Sequence, residues 1–156
     1  MSWKRILLAS LVICLVSLLW NGLIHGIVLK EANQALEGLR RDAGPGLLPG
    51  LLLTTGIALL FVVSYAIGRY PPGPSGGLLH GVLFALLAGL LVDLNQYLLY
   101  PIPATLALSW FGFSLIEFPL YGALAAYILG RRRPHDTLNS KGPGQQPEQH
   151  CGGNHG

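Results

Sequence analysis

Two carboxylates, Asp93 and Glu117, each stand alone in a long apolar stretch of this 156-residue chain. An ionisable group at the centre of a membrane helix costs about 2.5–3.5 kcal/mol on insertion scales, so it persists where it holds a partner, a proton or an ion. Candidate polar partners lie in the same stretches or in a neighbouring one: Asn21 and His25, Gln96 and Tyr97, and Tyr121. Acid, amide, imidazole and phenol together suit a proton relay or a cation path. An enzyme would need a nucleophile with its base, a metal-ligand cluster or a phosphate-cradling glycine loop, and the sequence spells out none of them. The chain therefore reads as a non-enzyme, with no catalytic residue, no metal site and no cofactor expected.

The elements that must position these groups follow from where charge is missing. The chain is 51% hydrophobic and only 11% charged, against about 25% charged for a soluble domain. Four gaps nearly free of Asp, Glu, Lys and Arg run over 6–29, 47–68, 78–100 and 104–129. Each is about 20 residues or more, enough at ~1.5 Å per residue to cross a ~30 Å hydrocarbon core. The expected fold is all-α: a polytopic, four-transmembrane-helix antiparallel bundle over 1–130 with a disordered cytoplasmic tail over 131–156. Lys4 and Arg5 before Ile6–Trp20 imitate a signal peptide, but no A-x-A site follows and the apolar run continues to Leu29. An uncleaved first helix is expected.

Lys4, Arg5, Arg69, Arg131, Arg132, Arg133 and Lys141 fall at the ends and in the second connection. Lys30, Arg40 and Arg41 fall in the first connection, balanced by Glu31, Glu37 and Asp42. The positive-inside rule places both termini in the cytoplasm. The net charge of +3 expresses that bias, and no basic patch suits nucleic acid. Helix one should continue beyond the membrane through Lys30–Arg41 and stop at Gly44-Pro45-Gly46. Tyr70-Pro71-Pro72-Gly73-Pro74-Ser75-Gly76-Gly77 reads as a non-helical turn, and Tyr100-Pro101-Ile102-Pro103 as a tight hairpin connection. Cys14 and Cys151 fall on different levels of this topology and cannot pair. The tail's His150, Cys151 and His155 are metal-ligating types, but the plain reading is a solvated tail.

Advancing 100° per residue, Ser10, Cys14, Ser17, Asn21 and His25 cover only about 80° of helix one. Asp93 has Gln96 and Tyr97 beside it, while Trp110, Ser114, Glu117 and Tyr121 share one face of helix four. These stripes should turn inward, because lipid offers polar groups no partner. By depth, His25, Asn21, Thr54, Asp93, Ser109 and Trp110 belong to an outer-half pocket, with Asp93 facing His25. Glu117 belongs near the midplane, level with Ser17. Pro119 frees the carbonyl of Leu115, to which a glutamic acid could donate. His80 lies ~20 Å from His25 along the membrane normal, which rules out a shared haem. Small residues at i,i+4 spacing mark expected helix-packing faces: Gly22 and Gly26, then Gly81, Ala85 and Gly89, then Gly122, Ala126 and Gly130.

The run Tyr100-Pro101-Ile102-Pro103 into Ala107-Leu108-Ser109-Trp110-Phe111, with Glu117 seven residues after Trp110, resembles a family of small, uncharacterised bacterial four-span membrane proteins. Asn21-Gly22-x-x-His25-Gly26 is similar in the same sense. The resemblance covers mainly 81–130 and implies a bacterial inner-membrane protein, with no activity or catalytic residue to carry over. Two functions remain in view. One is an accessory or structural subunit of a larger membrane complex. The other is a proton- or cation-coupled transporter or channel component using Asp93 and Glu117. In either, the surroundings are the lipid bilayer and a homo-oligomer or a larger complex. The topology predicts that an impermeant thiol reagent labels a cysteine at Asn33 in intact cells; labelling only after lysis contradicts the orientation.

Overall fold

The computed structural model describes residues 2–34, 36 and 47–130. The expectations for Arg40, Arg41, Gly44-Pro45-Gly46 and the tail with His150, Cys151 and His155 lie outside these residues. The described chain is all-helical, with four helices long and apolar enough to cross a membrane. They are α1 (Trp3–Val28), α3 (Leu47–Ile67), α4 (Pro74–Leu99) and α5 (Ala104–Leu129), with a short α2 (Lys30–Gln34) after α1. Large apolar side chains such as Leu19, Leu48, Leu52, Leu60 and Leu98 point away from the bundle. On a soluble protein such a surface would be an aggregation hazard; here it is the lipid-facing surface of a multi-pass membrane protein.

Two turns depart from α-helical geometry. At the end of α1, Ile24–Val28 is a π-turn closed by Leu29 N–H donating to the Ile24 carbonyl at 2.7 Å. In α4, Gly89–Asp93 is a second π-turn, with Leu94 N–H reaching the Gly89 carbonyl. Each such turn inserts an extra residue into the helix and resets the direction of the side chains beyond it. Asn33 of α2 folds back over the first one, donating from Nδ2 to the His25 carbonyl at 3.2 Å. Asn33 is therefore buried, and exposed Glu31 is the better site for a reporter thiol.

The start of α4 corrects the sequence reading. Pro74 to Gly77 were expected in a non-helical turn, yet they form its first turn, and the connection from α3 to α4 runs only from Gly68 to Gly73. Pro74 sits at the start, where its missing N–H has no intrahelical partner to lose. Gly73 at φ +87° supplies the sharp entry. The poor helix propensity of Gly76 and Gly77 is offset by what their bareness permits. A Cβ at Gly77 would strike the Gly122 carbonyl, and one at Gly81 would strike the Phe118 carbonyl and Pro119 Cα.

This contact joins α4 to α5 backbone to backbone, as the Gly81/Ala85/Gly89 and Gly122/Ala126 spacings imply. Ala85 and Ala126 are buried with them, and Gly89 lies against the Phe111 ring. Three of the expected packing positions behave differently. Gly130 is a left-handed C-cap at φ +60°, closing α5 through its N–H to the Ala126 carbonyl at 3.1 Å. Gly22 and Gly26 are exposed, and a Cβ on either would meet nothing within 4 Å. Their face of α1 turns away from the neighbouring described helices.

The half of the bundle containing both ends of the described chain is solidly packed. Ile6, Ala9 and Ile13 of α1 meet Phe61, Val62 and Tyr65 of α3 and Tyr121, Ala125 and Leu129 of α5. His80 is buried there as well. Its Nε2 lies 3.1 Å from the Phe61 carbonyl, with the Phe61 ring at 4.6 Å and the Tyr70 ring at 4.9 Å. Gly122→Ala should lower stability by about 1–3 kcal/mol, since the Gly77 backbone has no room to yield. Gly22→Ala should be neutral or stabilising by up to about 1 kcal/mol, the helix-propensity difference in open space. Unfolding midpoints in mixed detergent and SDS check both.

Candidate functional site

The opposite half of the bundle holds a cavity of about 610 Å³. Side chains of all four long helices line it, from Ile13 on α1 to Tyr121 on α5. Both π-turns border it: His25 belongs to the first and Asp93 closes the second, and each side chain reaches its wall. π-turns gather at functional sites because they break a helix's regular aim at modest cost.

Glu117 holds the centre. Its Oε1 accepts from Tyr121 Oη at 2.5 Å, Asn21 Nδ2 at 3.2 Å and Ser17 Oγ at 3.4 Å. Asn21 Nδ2 also reaches the Ser17 carbonyl at 2.9 Å, which fixes its aim. Ser17 and Glu117 are level, as depth counting requires. The carboxyl group is an acceptor for donors of α1 and of its own helix, and the contact expected with the Leu115 carbonyl gives way to them. Beside Pro119 the close approach comes from Gly81 instead.

Asp93 accepts from Ser114 Oγ at 3.2 Å through Oδ2, which ties α4 to α5. It shares the cavity with His25, but the hydrogen bonds made by the two run to different neighbours. His25 Nδ1 lies 3.4 Å from Asn33 Nδ2, and its ring is 6.3 Å from that of Trp110. Direct Asp93–His25 pairing thus gives way to a shared chamber, because α2 and its Asn33 hold the imidazole. Asp93 and Glu117 both line that chamber, one from α4 and one from α5.

The other expected residues divide. Gln96, Thr54 and Trp110 line the cavity. Tyr97 does not: it is 45% exposed on the bundle's outer surface, one step round the helix from Gln96. Ser109 also falls outside, bonded to the Thr105 carbonyl at 2.8 Å beside a shallow dent under Leu29. Trp20 was missed, although a tryptophan two turns inside a span, away from the interfaces that favour it, was a signal in the sequence. The indole N–H groups of Trp20 and Trp110 are buried with no hydrogen-bond partner among the described residues. Unmet polar groups of this kind gather at binding sites. Phe61, Phe84 and Phe118, which close the cavity toward the packed half, carried no individual signal.

The arrangement is acidic, aromatic and largely apolar, with no Lys or Arg on its wall among the described residues. Such a chamber can hold a proton or a positively charged guest and repel an anion. Glu117→Gln should keep the protein folded and abundant, because the amide oxygen can accept the same three donors. Glu117→Leu should cost about 1–3 kcal/mol or more, leaving Asn21, Ser17 and Tyr121 aimed at nothing. Expression level and unfolding midpoint of the two variants, measured side by side, check this.

No family model, no curated protein and no solved structure matches this chain.

Proposed function

We propose that this protein is a small proton- or cation-coupled transport component of a bacterial inner membrane, with both termini in the cytoplasm and Asp93 and Glu117 as its working groups. The observation that carries the reading is the placement of both acids on the wall of one chamber that all four long helices line. Carboxyl groups kept in an apolar bundle persist where a proton or ion must pause. Asp93 and Glu117 have different supporting donors, Ser114 for one and Ser17, Asn21 and Tyr121 for the other. Two acids held differently in one chamber can trade a proton for a guest. The bacterial membrane and the orientation follow from the resemblance and the basic-residue bias, and a four-helix carrier would work as an oligomer.

A second reading, an accessory subunit of a larger complex, is favoured by one feature. Gly22 and Gly26 form an exposed small-residue pair on α1 that no described helix covers. Such pairs let another membrane helix approach closely. The two readings separate in reconstituted vesicles. Transport predicts that the purified protein dissipates an imposed pH gradient and that Asp93→Asn and Glu117→Gln each return the rate to that of empty vesicles. Rates equal in wild type, variants and empty vesicles contradict it. A stoichiometric partner chain recovered from mild detergent would then favour the subunit.

A further inference from the structure

We infer that the cavity takes an organic cation, an ammonium-type head seated between Asp93 and Glu117 with an apolar body lying against Trp20, Trp110 and Phe113. The inference rests on the reading of this cavity as a solute site.

Charge selects the head group. Among the described residues, the ionisable side chains on the wall are Asp93, Glu117, His25 and Tyr121, with no Lys or Arg. Hydrogen bonds from the described residues reach Glu117 at Oε1 and Asp93 at Oδ2. Oε2 and Oδ1 are thereby left as acceptors for a guest. Two carboxyl groups on the wall of one chamber are both balanced by a single cation between them. An anion would meet the same field with the opposite sign.

The lining selects the body. Ile57, Leu87 and Leu91 face the chamber together with Phe113 and the two indoles. An inorganic ion would give up water for too few ligands there. Calcium takes about 6–8 oxygens, and among the described residues no three His, Cys, Asp or Glu side chains gather to hold a metal. An alkylated ammonium is weakly hydrated, carries its own apolar shell and is attracted to indole faces. At about 610 Å³ the chamber falls within the usual range of small-molecule sites, ~300–1,000 Å³.

The test uses the full chain in detergent with Trp3→Phe, so that emission comes from Trp20 and Trp110. The probes are benzyltrimethylammonium, its uncharged isostere neopentylbenzene, and the anion phenylmethanesulfonate. The cation should change the emission saturably, with the isostere and the anion at least about tenfold weaker. In the Asp93→Asn/Glu117→Gln double variant, cation affinity should fall at least about tenfold while the isostere's is unchanged, which also reports an intact cavity. Isostere binding as tight as the cation's, or cation affinity that survives in the double variant, overturns the cation assignment and leaves a solute cavity standing. No saturable response to any probe overturns it too, and the vesicle flux measurement then judges the transport reading independently.

Discussion

A carboxyl group in an apolar bundle needs protein donors, and at Glu117 three of them converge on Oε1. Ser17 and Asn21 come from α1, and Tyr121 comes from one turn further along α5. That shared acceptor sets the rotation of α1 about its axis. With Asn21 and Ser17 turned to Glu117, Ile13 also faces inward, while Leu19 is turned out to the lipid side. Gly22 and Gly26 are left on the exposed surface for the same reason. The cavity exists because the donors stop at Oε1 and do not fill the space between Glu117 and Asp93.

A rigid wall makes that geometry durable. The Gly77, Gly81 and Gly122 contacts bring α4 and α5 together at backbone distance, which close-packs the pair without a hydrophobic driving force. From this wall Asp93 and Ser114 project toward the chamber at one level, and Glu117 and Tyr121 at another. α1 completes the other side, and α3 packs chiefly on α1. The two ends of the bundle therefore differ in kind. One is sealed by Phe61, Tyr65 and His80, and the other contains the chamber, with Asn21, His25, Asp93, Gln96 and Glu117 on its wall.

Much of this was legible in the residues. Gaps nearly free of charge identified the four spans, and the polar stripes of α1, α4 and α5 were read as turning inward. Depth counting set Asn21 and Asp93 in an outer-half pocket apart from Glu117 at the midplane, whereas one chamber takes all three. Glycine spacing identified the α4–α5 contact. What escaped had local causes. A helical wheel assumes a constant 100° step, and the π-turns at Ile24–Val28 and Gly89–Asp93 break it; residues near them, His25 and Tyr97 above all, were misplaced or mispaired. Propensity placed Pro74 to Gly77 in a loop, because it cannot see the Gly122 backbone that rewards their bareness. The equal spacing of Gly22/Gly26 and Gly122/Ala126 says nothing of which pair finds a neighbour inside the chain.

The central claim is that Asp93 and Glu117 face one another across a single chamber. Infrared difference spectra test it most directly. The carboxyl band of Glu117 is assigned by its loss in Glu117→Gln and then followed in Asp93→Asn. If the acids share the chamber, replacing Asp93 changes the field at Glu117 and shifts its band, and Glu117→Gln shifts the band of Asp93 in return. A Glu117 band at the same position with and without the Asp93 charge would place the two acids in separate environments and contradict the account.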